Sequence, residues 1–346
     1  MKQIAILTHF AISVTLATTI ACEFSCKKAA PDEPFQGTFV DRIAFVRNSG
    51  QAVPVAVAGD LVLSGSKYVI ANTVDLCDHA VGPQISFNRS QITLNRAYNT
   101  LHPMIANADG SNLHEVIFDT TVNCQWINLS PDLKSEVIYF GYFNGRLSLG
   151  TASATGGHLR VIYAEPEWSL CPCWSPDGKK IYFQWDDGYN RFGFADGILT
   201  KAYIASIAPD GTDLRFVSDT LTANSDDYSP EPSPNGERIA FTSMRNHHGH
   251  FFPEVFIMDT TGKNVRQLST AIVGTFHGSY YDYYTEDESP HWLKDNEHII
   301  YERQTFTYNG QPSTYDYSVD LYIVRCDGTE LQKLTDNGSM SLLKHQ

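Results

Sequence analysis

The sequence predicts an all-β protein, a β-propeller of four-stranded antiparallel blades, and three observations support this. The first is a recurring strand–turn–strand unit, whose clearest copy is Trp174–Phe183, WSPDGKKIYF. The second is an interleaved unit in which an Asp-Gly or Thr-Gly turn separates two apolar segments, as in Phe256–Leu268. The third is that the two units alternate along the chain with a period of roughly 45 to 60 residues. Four strands per period are typical of one propeller blade.

The turn of the first unit has a physical basis. Proline presets the backbone at the first turn position, aspartate hydrogen-bonds its own backbone, and glycine accepts positive φ. We therefore expect Gly178 and Gly236 to adopt positive φ. Further copies of the unit are Ser130–Asp132 before Val137–Phe140, Ser233–Gly236 before Arg238–Phe241, and a degenerate Trp292–Asp295 before His298–Tyr301.

The second unit supplies the third and fourth strands of each blade. Its copies are Met104–Val116, Tyr203–Val217, Phe256–Leu268 and Tyr322–Leu334, with Leu147–Val161 the weakest. Six blades are favoured by this pattern, and five are possible.

The segment before residue 104 is less regular. Asp41–Val46 matches the second strand of the repeat. One possibility is that Met104–Asn107 is its third-strand partner, which makes residues 50–98 an insertion. The alternative is that residues 50–98 build a diverged blade. Because the chain begins on a second strand and ends beyond a fourth, ring closure requires a terminal segment to complete a shared blade.

The N-terminus predicts export. Residues 1–21 have a positive Lys2 followed by an apolar stretch, as in a signal peptide. Thr19–Cys22 resembles a bacterial lipobox, which makes Cys22 the predicted site of lipidation and the membrane attachment point. Cys26 is a weaker rival, because Glu23 stands three residues before it. Residues 22–37 are then a tether, and residues 38–346 the propeller.

Composition narrows the class of partner. The chain has 25 Lys and Arg against 39 Asp and Glu, a formal net charge of −14. This net charge argues against nucleic acid as a partner, because phosphate binding needs a positive surface. Cys173, in Cys171-Pro172-Cys173, falls in the register of an inner strand, so we interpret it as a buried structural residue.

The repeat units resemble those of TolB-like β-propellers. The resemblance rests on WSPDGKKIYF, PSPNGERIAF, VFIMDTTGKNVRQLS and LYIVRCDGTELQKLT, and it covers the chain from about residue 104 onward. It implies a protein of the Gram-negative envelope whose propeller binds something, while the repeats themselves contain no catalytic residue. Nothing matches the extra N-terminal domain of TolB itself, so a Tol-system role is not implied.

Propeller geometry predicts which face functions. First-to-second and third-to-fourth turns lie on one face, and here they are short. The second-to-third and blade-to-blade loops lie on the other face and are long and aromatic, which is typical of binding surfaces. The candidate ligand-binding residues are Trp185, Tyr189, Phe192, His247, His248, His250, Tyr280, Tyr281, Tyr283, Tyr284, Tyr315 and Tyr317. Equally, these aromatic residues could serve only to pack the loops against one another.

Two acidic groups are predicted at the mouth of the central channel, namely Asp226, Asp227 and Glu231, and Glu286, Asp287 and Glu288. Their carboxylates could hold a cation or act as acid and base, although solvated acidic mouths are more common. No cofactor is expected, a bound cation is possible, and no metal ligand is assigned. The favoured function is a non-enzymatic binding or scaffold lipoprotein that engages an envelope protein or a glycan. The alternative is a carbohydrate-active enzyme, a lyase or glycoside hydrolase.

Overall fold

The structure is a computed structural model of the chain. The structure describes residues 37–47, 54–97, 100–118, 122–132, 136–164, 170–186, 202–219, 226–245, 252–278, 280–311, 315–335 and 338–339. These residues form strands, turns and connecting segments, with no helix among them. No segment within these ranges is therefore a candidate membrane-spanning helix.

The described residues contain six four-stranded antiparallel sheets, which we call blades 1 to 6. Blade 1 contains β1 (Thr38–Arg47), β2 (Val55–Ser64) and β3 (Lys67–Asp78). Blade 2 contains β4 (Ala80–Ile85), β5 (Gln91–Ala97), β6 (Leu101–Asn107) and β7 (His114–Glu115). Blade 3 contains β8 (Val122–Leu129), β9 (Glu136–Phe143), β10 (Arg146–Ser153) and β11 (Arg160–Ala164).

The remaining blades follow the same order. Blade 4 contains β12 (Leu170–Trp174), β13 (Ile181–Asp186), β14 (Ala202–Ile207) and β15 (Arg215–Phe216). Blade 5 contains β16 (Asp227–Pro232), β17 (Arg238–Ser243), β18 (Glu254–Asp259) and β19 (Arg266–Gln267). Blade 6 contains β20 (Tyr283–Trp292), β21 (His298–Tyr308), β22 (Tyr315–Arg325) and β23 (Gln332–Lys333). The predicted class, an all-β propeller of four-stranded antiparallel sheets, is confirmed.

Blade 1 is completed from the other end of the chain. A last short strand, β24 (Gly338–Ser339), pairs with β1 through Val46 and Arg47, so β1 occupies the second place in its sheet. The ring therefore closes through a C-terminal segment, as the position of Asp41–Val46 in the repeat predicts.

The insertion alternative for residues 50–98 is wrong. Met104–Asn107 lies in β6 and pairs with β5 and β7 of blade 2, rather than with β1. The third-strand partner of β1 is β2, at Val55–Ser64. Within residues 50–98, β2 and β3 complete blade 1 while β4 and β5 begin blade 2.

The core lies between the faces of neighbouring blades. Ile138 and Leu149 of blade 3, for example, pack with Trp174, Ile181 and Phe183 of blade 4, and each of these side chains is 0–2% exposed. Burying an aliphatic or aromatic side chain of this size contributes about 1.5–3 kcal/mol. Each small sheet could not bury its apolar surface alone. In the repeated arrangement, the neighbouring blades cover its two faces.

The turns between first and second strands adopt the predicted geometry. Gly178 and Gly236 have φ of 68° and 72°. In the degenerate copy, Asn296 stands in the same place with φ of 61°. Asparagine tolerates this left-handed conformation better than most residues. In blade 2 the equivalent residue is Arg89, with φ of 62°.

The inner strands share a second irregularity. In blades 2 to 6, the pairing of the inner strand with the second strand shifts register partway along. The inner strands are β4, β8, β12, β16 and β20. In four of the five, a positive-φ residue is followed by proline, namely at Gly82-Pro83, Cys171-Pro172, Ser229-Pro230 and Ser289-Pro290. Proline lacks a ladder donor and suits the unpaired position of a bulge. Residues of three of these bulges, Cys171-Pro172, Ser229-Pro230 and Pro290, line the central channel.

Candidate functional site

Blade 6 extends further toward the loop-rich face than blades 4 and 5. Its second and third strands have 11 residues each, whereas those of blades 4 and 5 have 6. The extra pairs run to Tyr308 and Tyr315 at the end of the hairpin. Val273 and Phe276 form isolated bridges with Tyr284 and Tyr281, which adds a short further pairing segment at the β20 edge.

This extension is covered by what we call the aromatic cluster. Its members are joined through ring contacts with centroid separations of 4.0–6.4 Å, and they are Phe252, Phe276, Tyr280, Tyr281, Tyr284, Phe306, Tyr308, Tyr315 and Tyr317. At its centre, Tyr284, Phe306 and Tyr317 lie opposite one another on three adjacent strands. Burial raises the pKa of the Tyr284 hydroxyl to about 12. Such contacts stabilise the loops beyond simple area burial.

The cluster is also partly exposed. The exposed fraction is 53% for Phe276 and 55% for Tyr317, and Tyr283, beside the cluster, is 40% exposed. Five of the predicted ligand-binding residues, Tyr280, Tyr281, Tyr284, Tyr315 and Tyr317, therefore belong to one structure. The central rings pack the loops against one another, as the packing interpretation predicts, and the outer rings face solvent. Ligand binding by these tyrosines stays a prediction.

Trp185 has a different role from the tyrosines. It lies on β13, where its Nε1 donates a hydrogen bond of 2.9 Å to the Tyr163 hydroxyl of blade 3. Its ring stacks on Tyr203 at 6.1 Å and meets the edge of Phe216 at 5.0 Å. These contacts make Trp185 a packing residue between blades 3 and 4, separate from the aromatic cluster.

Two of the six predicted channel-mouth acids are fully buried. Asp227 and Asp287 are each 0% exposed and occupy equivalent places on β16 and β20. Asp227 pairs with Arg245 at 2.5 Å, and Asp287 accepts two hydrogen bonds of 2.6 Å from Arg303. Neither carboxylate lines the channel, because both are directed into paired interior sites.

The two arginines lie over equivalent aromatic pairs. Arg245 is 5.1 Å from the ring of Phe241 and 5.4 Å from that of Phe256. Arg303 likewise lies over Tyr301 and Tyr322, which are the register-equivalent pair of blade 6. Burial alone lowers the pKa of Arg303, but its hydrogen bonds and charge interaction with Asp287 outweigh this and raise it. The same buried arrangement is thus built twice, which indicates a structural role.

The other acids differ in their surroundings. Asp226 accepts a hydrogen bond from the Ala202 backbone N–H. Glu288 accepts from the Tyr228 hydroxyl at 2.7 Å and from Gln304 at 3.1 Å. Glu286 lies opposite Gln304 on the extended strands of blade 6. Glu231 alone among the six lines the central channel.

The channel contains a ring of polar side chains that sequence reasoning did not assemble. Each member stands two residues before the turn that ends its inner strand, and one comes from each of blades 2 to 6. The members of this channel ring are Gln84, Asn128, Cys173, Glu231 and His291. The signal was present in the repeat, since aligning the turns at Ser86, Ser130, Ser175, Ser233 and Leu293 brings these five residues into one column.

Several predicted features lie outside the described residues, namely Tyr189, Phe192, His247, His248, His250 and the lipidation site Cys22. Within the described ranges, no group of three or more His, Cys, Asp and Glu side chains is arranged to hold a metal ion. The cysteines at 77, 124, 171, 173 and 326 are unbridged. Cys173 is 5% exposed on β12, as its interpretation as a buried residue of an inner strand predicts.

The six four-stranded sheets define the class of protein, a β-propeller. The solved structure of TolB from Acinetobacter baumannii superposes with a TM-score of 0.63 at 16% identity, over 88% of this chain and 66% of that one. A putative TolB from Agrobacterium tumefaciens gives 0.56 at 17% identity, over 78% and 86% of the two chains. The chain therefore has the TolB-like propeller fold. Identities this low show the fold alone.

Sequence comparison adds little about function. No known protein-family profile matches the chain. An uncharacterized protein of Agrobacterium fabrum is 27% identical over 183 residues, which is 51% of this chain and 54% of that protein. The chain thus matches about half the length of this relative.

Proposed function

We propose that the protein is an exported, lipid-anchored binding or scaffold protein of the bacterial cell envelope that engages a protein or glycan through its loop-rich face. The observation that carries the proposal is the aromatic cluster on the extended end of blade 6. Folding alone accounts for its central rings, but Phe276, Tyr283 and Tyr317 are at least 40% exposed. Exposed aromatic residues on a rigid support are the usual anchors of recognition surfaces.

Export and anchoring are supported by the N-terminal sequence and by the fold. The apolar segment before Cys22 predicts transfer across a membrane and attachment through lipid. The TolB-like propeller fold is consistent with an envelope location. For the enzymatic alternative, Asp227 and Asp287 are buried in ion pairs and unavailable as acid and base.

The binding face is tested with two double variants of matched exposure. Tyr283→Ala/Tyr317→Ala removes rings that are 40% and 55% exposed on the loop-rich face. Leu214→Ala/Leu331→Ala removes side chains that are 42% and 54% exposed in turns of the opposite face. The measurement is binding on a glycan array and capture of envelope proteins by the immobilised propeller.

We expect the tyrosine variant to bind more weakly, by about 2 kcal/mol of binding free energy for each ring removed, which is roughly a 30-fold increase in Kd per ring. The leucine variant should bind like the wild type. Loss of binding in the leucine variant alone would show that the opposite face carries the site.

A further inference from the structure

The channel ring contains a carboxylate that the surrounding protein does not neutralise. The side chain of Glu231 is 20% exposed, and no described donor forms a hydrogen bond with it. Its one ion-pair contact among the described residues is with His291, whose Nδ1 lies 3.8 Å from Glu231 Oε1, beyond hydrogen-bond distance. Because a mostly buried carboxylate is costly unless paired, this site is chemically incomplete.

The neighbouring histidine is oriented by an amide. Gln84 Nε2 lies 3.3 Å from His291 Nε2 in the buried part of the channel, so the amide donates to the ring. An imidazole that accepts at Nε2 has its Nδ1 free to donate, and Nδ1 lies on the side of Glu231. Glu231 is the one carboxylate among the five members of the ring.

The channel wall also offers an unused donor. Trp126 lines the channel next to the ring and is only 3% exposed. Its indole N–H has no hydrogen-bond partner among the described residues. Buried polar groups are nearly always satisfied, so an unpaired donor in the same channel as an unpaired acceptor indicates a polar occupant.

We propose that the channel ring binds a primary ammonium group, supplied by a small amine or by a lysine side chain of a peptide. An ammonium presents three donors on a compact cation. Glu231 supplies the charged acceptor, and the amide oxygens of Gln84 and Asn128 supply neutral ones. Trp126 can donate to an oxygen of the same ligand. The net charge of −14 raises the local concentration of cations around the protein.

This site differs from the proposed binding face. The ring lies two residues from the short first-to-second turns, about 7 Å along each strand at 3.3 Å per residue. The aromatic cluster lies at the opposite, loop-rich end of blade 6. The two proposals concern different sites, so the failure of one does not contradict the other.

The test is calorimetric titration of the purified protein with n-butylammonium and with the tripeptide Gly-Lys-Gly. Binding of either ligand is expected, and binding of the tripeptide alone would identify a peptide as the source of the amine. Glu231→Gln should weaken binding by roughly tenfold or more, since a charge-assisted hydrogen bond is lost. The matched control is Glu237→Gln, an exposed glutamate in the adjacent turn, which should leave affinity unchanged.

A second ligand and a second variant provide two further tests of the proposal. n-Butyltrimethylammonium has the same charge without N–H donors and should bind at least tenfold more weakly. Asn128→Ala should weaken butylammonium binding while the thermal unfolding midpoint stays that of the wild type. Absence of binding at millimolar concentrations, or equal binding by wild type and Glu231→Gln, would overturn the assignment.

Discussion

Arg89 donates from Nε and Nη2 to both carboxylate oxygens of Asp41, at 3.1–3.2 Å, and Asp41 has no exposed surface. The same carboxylate accepts the Lys294 backbone N–H at 2.7 Å. Arg89 also donates to the Trp292 carbonyl at 2.8 Å. One ion pair thus joins β1 of blade 1, the first turn of blade 2 and the first turn of blade 6, at the place where the ring closes.

The position of Arg89 adds a conformational cost. It stands where Gly178 and Gly236 stand in later blades, and its φ of 62° is unfavourable for a residue with a Cβ. The ion pair with Asp41 offsets this strain, since it holds the turn in the one geometry that reaches all three blades.

Asp41→Asn should destabilise the protein by about 3–5 kcal/mol, because it leaves a mostly buried guanidinium without its charged partner. Arg89→Gly should cost less, because the same substitution releases the left-handed strain, worth about 1–2 kcal/mol. The control is Asp75→Asn, whose exposed pair with Arg47 should contribute about 0–1 kcal/mol. Urea unfolding measures the free energy of unfolding of all three variants. Equal effects of Asp41→Asn and Asp75→Asn would contradict the role of the Asp41–Arg89 pair in closing the ring.

The glycine turns can be tested by comparing two positions. At Gly236, φ is 72° and an added Cβ would meet nothing closer than 3.8 Å, so Gly236→Ala should cost only the backbone strain of about 1–2 kcal/mol. At Gly262, φ is 80° and a Cβ would lie 1.8 Å from the Val217 carbonyl oxygen. Gly262→Ala should therefore lower the thermal midpoint more than Gly236→Ala does. The reverse order would show that the blade-to-blade contact at Val217 is wrong.

Stability should depend on pH through His298. Its Nδ1 lies 2.7 Å from Asp295 and its Nε2 3.3 Å from Glu330, and the hydrogen bond to Asp295 outweighs burial and raises its pKa above 6.5. A histidine whose pKa is higher in the folded than in the unfolded state stabilises the fold. This stabilisation is fully present below the unfolded-state pKa, and it is lost as pH rises through the folded-state pKa. The free energy of unfolding should therefore fall as pH rises above about 6.5.

The measurement is urea unfolding at a series of pH values from below to above neutrality. His298→Gln should remove the fall assigned to this residue, whereas His277→Gln, at an exposed histidine, should retain it. A pH profile that is the same in both variants would exclude His298 as its source.

Lipid attachment is tested by detergent phase partitioning of the protein made in a Gram-negative host. The wild type should enter the detergent phase, because a lipoprotein anchor supplies the paired acyl chains that stable membrane residence needs. Cys22→Ser should move to the aqueous phase, while Cys26→Ser should partition like the wild type. An aqueous wild type would exclude the anchor, and release by Cys26→Ser alone would place it at the other cysteine.

Much of the fold could be predicted because the responsible interactions are local. The turns around Gly178 and Gly236 are specified by neighbouring residues and recur at a readable period. The place of Asp41–Val46 in the repeat also predicted closure by a terminal strand. The partner of that strand was predicted less well, because the connection from β1 to β2 within blade 1 contains no turn motif of the repeat.

The sequence by itself determined the propeller class, the register of the inner strands and the concentration of aromatic residues in loops of one face, since all three follow from short-range patterns. The tertiary structure alone decided what each polar side chain meets. It buried Asp227 and Asp287 against arginines from their own blades, and it brought Glu231 and His291 together from different blades. Burial and charge pairing depend on distances between residues far apart in the chain, so the incomplete carboxylate in the channel becomes visible only when the ring is closed.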